Sequence, residues 1–401
     1  MTTTTGGRTR VNPEPNDDAP PQQRVRLSQV RLSDIFALGG AAVAALCLTG
    51  LLYTTLTPFS SAIGFVVVWY LFFLVLYAIL TIFDETSQAV RDRLAGVVIR
   101  SLAALVVGVL VFVIGFTLSK GWEVLTHFNF FTEDMSNAGP LDPLIYGGVL
   151  HAVVGTLIEI TIALAIVIPL GVMVAVYLSE MPGALSRLVR TIVEAMTALP
   201  SIVAGLFVYA TVIMIFTKQQ SGFAASIAIS IMMLPIIIRS ADVALRLVPS
   251  TLKEASYALG AGQWSTVKNV TLPTAKSGLA TAIILGTARG IGETSPVLLC
   301  AGFTAALNVN PFQGPMISLP LATFEFVKSP EPTMIARGFG TALVLLLLVL
   351  IMFIVARYFG GKGPGALSKR QTKARIRQSE KDVERMSAAR ATSASTLTIE
   401  K

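Results

Sequence analysis

The residues in this sequence that could do chemistry inside an apolar environment lie between Arg239 and Pro296. Arg289 and Glu293 stand four residues apart in an otherwise apolar stretch, a spacing that lets two side chains meet on one helix face. Arg239 and Asp242 occupy the end of the apolar stretch before it. A charged side chain at the centre of a membrane costs roughly 2.5–3.5 kcal/mol on insertion scales, so such arginines face protein or a polar path. Two uses fit the spacing. One is a self-neutralised pair that pins helix packing. The other is a pair of cations that lowers the barrier for an oxyanion crossing the midplane, with Glu293 and Asp242 keeping the anion from being held too tightly. Thr294, Ser201 and Ser240 offer hydroxyls along such a path, though helix hydroxyls also bond their own backbone.

Between the two charged stretches lies a polar insert, EASYALGAGQWSTVKNVTLP, from Glu254 to Pro273. Its residues describe a short helix, a bend at Gly260 after Leu259, a second helical piece and a proline that starts the next span. Small residues at Ala255 and Gly260 allow close approach to another surface, with Glu254, Ser256, Leu272 and Pro273 in the same segment. Beyond the insert, Gly278, Ala282, Gly286 and Gly290 recur at four-residue steps, a row suited to a close helix contact within the subunit or across to a second one. Glu159 is a further acid set in an apolar run.

The elements that must hold these groups follow from composition. At 53% hydrophobic and 13% charged residues, with mean hydropathy +0.71, the chain is expected to be an all-α polytopic membrane protein. Residues 1–34 are polar, rich in Thr, Pro, Gln and Arg, and read as a disordered tail. From Ile35 to Phe83 there is no charge, enough for two crossings with a turn near Thr57, Pro58 and Ser60. Further spans are expected at 96–118, 149–178, 192–216, 223–245, 277–301 and 338–356, eight in all, with the insert in the loop 247–276 and a basic tail over 361–401. If the N-terminus is cytoplasmic, 23 of the 31 Lys and Arg residues fall on the cytoplasmic side and four on the other, so both termini and the insert are placed inside. The net charge of +8 is then a topology signal near anionic lipid rather than a nucleic-acid footprint. Cys47 and Cys300 lie in separate apolar runs, and His127 and His151 lack ligand spacing, so no metal site is expected. There is no GxxxxGK[ST] segment and no Ser-His-Asp or Cys-His set, hence no expected ATPase, other enzyme site or bound cofactor in this chain.

The insert resembles the cytoplasmic loop of ABC importer permeases, written E-A-A, three residues, G, nine residues, I, one residue, L-P. Ser256 replaces Ala and Val270 replaces Ile. Ala288-Arg289-Gly290-Ile291-Gly292-Glu293-Thr294-Ser295-Pro296 is similar to the A-R-x-x-G-E-T-A-P segment of the phosphate permease family PstA. Leu234-Pro235-Ile236-Ile237-Ile238-Arg239-Ser240-Ala241-Asp242, Pro200-Ser201-Ile202-Val203-Ala204-Gly205-Leu206 and Tyr177-Leu178-Ser179-Glu180 resemble further segments of that family. Asp242 stands where the family usually has Glu. The resemblance implies a six-span importer core over 96–360, two additional spans within 35–95, and a coupling helix at the insert that seats on an ATPase. It also implies a second permease PstC, an ATPase dimer PstB and a binding protein PstS as partners. A permease for another oxyanion or solute, and a structural membrane protein, are the competing readings.

Overall fold

The computed structural model describes residues 32–56, 61–83, 86–360, 372–383 and 385–386, and within them every regular element is a helix. Nearly all of the expected N-terminal tail, the turn near Thr57 to Ser60 and most of the basic tail lie outside the described residues. In chain order the helices are α1 (Leu32–Leu51), α2 (Ala62–Ile82), α3 (Ser87–Leu125), α4 (Asn129–Thr132), α5 (Leu150–Glu180), α6 (Ala184–Thr197) and α7 (Ser201–Val208). They continue as α8 (Gly222–Arg246), α9 (Ser250–Ala258), α10 (Gln263–Thr266), α11 (Leu272–Ile291), α12 (Ser295–Cys300), α13 (Leu319–Lys328) and α14 (Pro332–Gly360). Two compact units divide at Val111 and Phe112, inside α3.

In the first unit, α1 and α2 pack through alanines and aromatics. Ala41 and Ala45 are buried beside Phe73 and Tyr77, and the rings of Trp69, Phe73 and Tyr77 stack one turn apart along α2. Trp69 Nε1 donates to the Ala42 carbonyl at 3.1 Å, satisfying the one polar group of an apolar ring. Asp34 and Arg93 close the unit at 2.6 Å.

The second unit is built on α5, α8 and α11. Their contact surfaces are made of small residues, which bring helix axes close where lipid supplies no hydrophobic drive for association. Ile237 of α8 is the wedge: a Cβ at Gly171 of α5 would fall 2.9 Å from its Cγ2, and one at Gly286 of α11 would meet its Cγ1 and Cδ1. Gly278 lies against Ala244, and Gly290 against Met233 and Ile229. The four-residue row on α11 is therefore an internal contact with α8. Pro169 and Pro235 sit within α5 and α8, interruptions that membrane helices tolerate when neighbours cover them. Arg337, at the start of α14 and 1% exposed, donates to the carbonyls of Gly139, Asp142, Pro143 and Tyr146, so it clamps the loop before α5 instead of standing as a free loop charge.

Among the described residues, six helices are long and apolar enough to cross a membrane, and one bent pair raises the number to seven. The crossing expected over 192–216 is shorter and begins differently. Leu185, Leu188, Val189, Ile192, Val193 and Met196 recur at three- and four-residue steps, so 184–197 forms an amphipathic helix, and the chain turns by 105° at Pro200 before Ser201–Thr217. The crossing expected over 277–301 is broken: α11 ends at Ile291 and α12 begins at Ser295, with Gly292 to Thr294 between them. Lys276 and Arg289, together with the glycines of α11, make that helix less apolar than the six long ones.

Candidate translocation and coupling site

The break between α11 and α12 places the charged pair. Gly290 and Gly292 weaken the helix, and Pro296 cannot extend one from its N-terminal side, so helical bonding stops and Glu293 is carried in the gap. Its carboxylate is 7% exposed, whereas Arg289 is 57% exposed, and Nε lies 2.9 Å from Oε1. This is an ion pair rather than an aligned hydrogen bond, because Oε1 has no donor in hydrogen-bonding geometry. One partner is anchored in the protein and the other is presented outward. Thr294 follows directly and borders a cleft of about 530 Å³ lined by Pro320, Thr323, Phe324, Val327 and Lys328. Ser201 opens α7, which crosses α12 closely: a Cβ at Gly205 would fall 2.8 Å from Pro296 Cα.

Arg239 is exposed on α8, the helix against which α11 packs, and makes no ion pair among the described residues. Asp242, grouped with it by sequence, belongs elsewhere. It is buried and receives Arg190 Nη1 at 2.8 Å and Arg246 Nε at 3.0 Å. It thus ties α6 to the end of α8 and does not sit beside Arg289 and Glu293. Arg190 is not among the residues the sequence singles out; the apolar periodicity of 185–196 is the signal that places it on a helix.

The insert folds as its spacing indicates. α9 ends at Ala258, Gly260 takes φ +83°, a conformation favouring glycine, and α10 passes through a short π turn into α11 with Pro273 in its first turn. Glu254 and Ala255 are exposed, while Ser256 Oγ lies 2.9 Å from Thr266 Oγ1 and joins the two helical pieces. Leu272 is half-buried at the start of α11. Two contacts secure the insert to α5: Lys253 Nζ reaches Glu180 Oε1 at 2.6 Å, and Gln263 Nε2 donates to the Glu180 carbonyl at 3.2 Å. Leu252, Tyr257, Leu259 and Trp264 remain exposed around Glu254. Four exposed large apolar side chains on one polar segment make a patch of the kind that marks protein–protein contact.

These features define a helical membrane component with a broken, charged helix and an exposed polar insert, and residues 167–362 match the family described as binding-protein-dependent transport system inner membrane component. The phosphate transport system permease protein PstA 1 of Mycobacterium tuberculosis is 38% identical over 248 residues, covering 62% of this chain and 81% of that protein. PstA of Mycobacterium leprae is 38% identical over 241 residues (60% and 79%), and PstA of Yersinia pestis 34% over 281 residues (68% and 90%). Among solved structures, an inward-facing MetNI methionine ABC transporter chain aligns at 21% identity and TM-score 0.41, covering 53% of this chain and 93% of that one. The chain belongs to the family of phosphate transport system permease proteins PstA.

Proposed function

We propose that this chain is the permease subunit of an ATP-driven importer that moves inorganic phosphate across the cell membrane by alternating access. The observation that carries the reading is the pairing of an outward-facing Arg289 with a buried Glu293 at a helix break. A guanidinium matches the oxygens of a phosphate, and an adjacent carboxylate offsets its charge enough to let the anion leave again. Arg239, Thr294 and Ser201 are assigned to the same path. Glu254, Ala255, Ser256, Gly260, Leu272 and Pro273 form the face that receives an ATPase, which supplies the ATP chemistry this chain lacks.

By family resemblance the partners are PstC as second permease, PstB as ATPase dimer and PstS as binding protein. Residues 96–360 are assigned to the six-span core, 35–95 to the two additional spans, and both termini and the insert to the cytoplasmic side. The test is labelled phosphate uptake at low external concentration in cells lacking the gene, then complemented. Uptake lost on deletion and regained with the wild-type chain supports phosphate. An unchanged rate, with any second phosphate importer also deleted, refutes it.

A further inference from the structure

The segment after α14 is not used by the transport reading. Its described part, residues 372–383 and 385–386, is helical. Ile376, Ser379, Val383 and Met386 follow one another at steps of three, four and three, so they share a single helix face. Ile376, Val383 and Met386 are 53%, 59% and 62% exposed. In the first turns Lys373 and Arg377 flank this face on one side and Arg375 on the other; further along, Glu380 joins the first flank and Asp382 the second.

Charge is unevenly distributed along the segment. From Lys362 to Arg377 there are six basic residues, Lys362, Lys369, Arg370, Lys373, Arg375 and Arg377, and no acid. The acids Glu380, Asp382 and Glu384 come afterwards, and Arg385 turns back on Asp382 at 4.0 Å. The positive charge is thus concentrated nearest the point where α14 leaves the membrane, marked by Arg357 and the exposed ring of Tyr358. Only eleven residues, 361–371, separate α14 from the helix, and at about 3.3–3.6 Å per residue they cannot carry it further than roughly 40 Å from that point. A narrow apolar face, cationic flanks along the helix's first turns and a short tether to the bilayer together fit one surface, the anionic headgroup layer of the leaflet that α14 exits.

We propose that the helical residues 372–383 and 385–386 lie on the membrane surface and bind anionic phospholipid, with Ile376, Val383 and Met386 at the headgroup–acyl boundary and Lys373, Arg375 and Arg377 on lipid phosphates. In the cell this rests on the cytoplasmic placement of the C-terminus proposed above. Nanodiscs expose both faces of the bilayer, so the measurement does not depend on that placement.

The test uses the full-length chain carrying Val383→Cys and Cys47→Ser, labelled at 383 with an environment-sensitive nitrobenzoxadiazole dye; Cys300 is buried and stays native. The protein is placed in nanodiscs of phosphatidylcholine alone, or of phosphatidylcholine and phosphatidylglycerol in equal parts. The proposal expects blue-shifted emission and shielding from aqueous iodide only in the anionic discs, reversed by high salt. The bound-to-free ratio should fall roughly fivefold for each of Lys373, Arg375 and Arg377 changed to Gln. Equal emission in both lipids overturns it. So does shielding that is insensitive to salt, or that arises only when the ATPase subunits are added, which would make the partner a protein.

Discussion

Replacing Gly286 by alanine tests the closest helix contact in the second unit. The added Cβ would lie 2.7 Å from Ile237 Cδ1 and nearer still to Cγ1, against 3.4 Å where ordinary contact begins. Ile237 cannot retreat the other way, because its Cγ2 already faces Gly171 of α5 and its side chain is fully buried. Overpacking of this kind costs about 1–3 kcal/mol. Alanine gains ~1 kcal/mol over glycine in helix propensity, so the net loss expected is about 0–2 kcal/mol. Gly286→Val adds branching and should reach the upper end or beyond. The decisive comparison is Gly286→Ala with Ile237→Ala. Each single change destabilises, one by crowding and one by a cavity, and the double variant recovers part of the loss because the new methyl enters the vacated space. Thermal denaturation in detergent, followed by thiol-dye reaction at buried Cys300 in a Cys47→Ser background, reads all four. Strict additivity, or a Gly286→Val variant as stable as wild type, would refute the close packing of α11 on α8.

Other consequences concern the charged groups. Asp242→Asn should weaken the hold of α6 on α8 by about 1–3 kcal/mol, less than for a fully buried pair because Arg190 and Arg246 are partly exposed; the expected readout is ATP hydrolysis less tightly linked to uptake in the assembled complex. Arg337→Met strands four carbonyls in the 139–146 loop and should cost about 3–5 kcal/mol, seen as a lower melting temperature and faster proteolysis of that loop. Asp134 accepts from the Ser136 hydroxyl and from the backbone N–H groups of Leu307 and Ser136, and these bonds, the hydroxyl first, hold its carboxyl below the usual carboxylate range. A depressed folded pKa contributes stability above the unfolded value of about 3.9 that is lost as pH falls through the folded one. Melting temperature should therefore decline more steeply on acidification below about pH 4 in the wild type than in Asp134→Asn.

Much of this architecture could be read from residues alone, because hydropathy and glycine spacing are local. The insert shows it best: the distance from Glu254 to Gly260 to Pro273 specifies helix, bend, helix and helix start, and the structure has those pieces in that order. What escaped depends on partners far apart in sequence. Asp242 lies three residues from Arg239 but pairs with Arg190, 52 positions away. Arg337 looks like a loop charge until its acceptors, nearly 200 residues earlier, are in place. Thr156 offers no sign in its neighbourhood that its hydroxyl will accept from Leu319 N–H and seat α13 on α5. The bend at Pro200 was hidden for another reason: 192–216 is apolar enough to suggest one straight span, and the amphipathic period of 184–197 crosses its boundary.

The role of Arg289 is decided by measuring phosphate uptake and ATP hydrolysis side by side in proteoliposomes holding the assembled importer, with Arg289, Arg289→Lys or Arg289→Gln. If Arg289 lowers the barrier for the anion, Arg289→Gln loses roughly tenfold or more of the uptake rate, equivalent to about 1.4 kcal/mol or more of barrier, while the complex assembles and basal ATP hydrolysis persists; Arg289→Lys retains part of the rate. Unchanged uptake in Arg289→Gln, or failure of the complex to assemble, would contradict this and leave Arg289 and Glu293 as a packing pair.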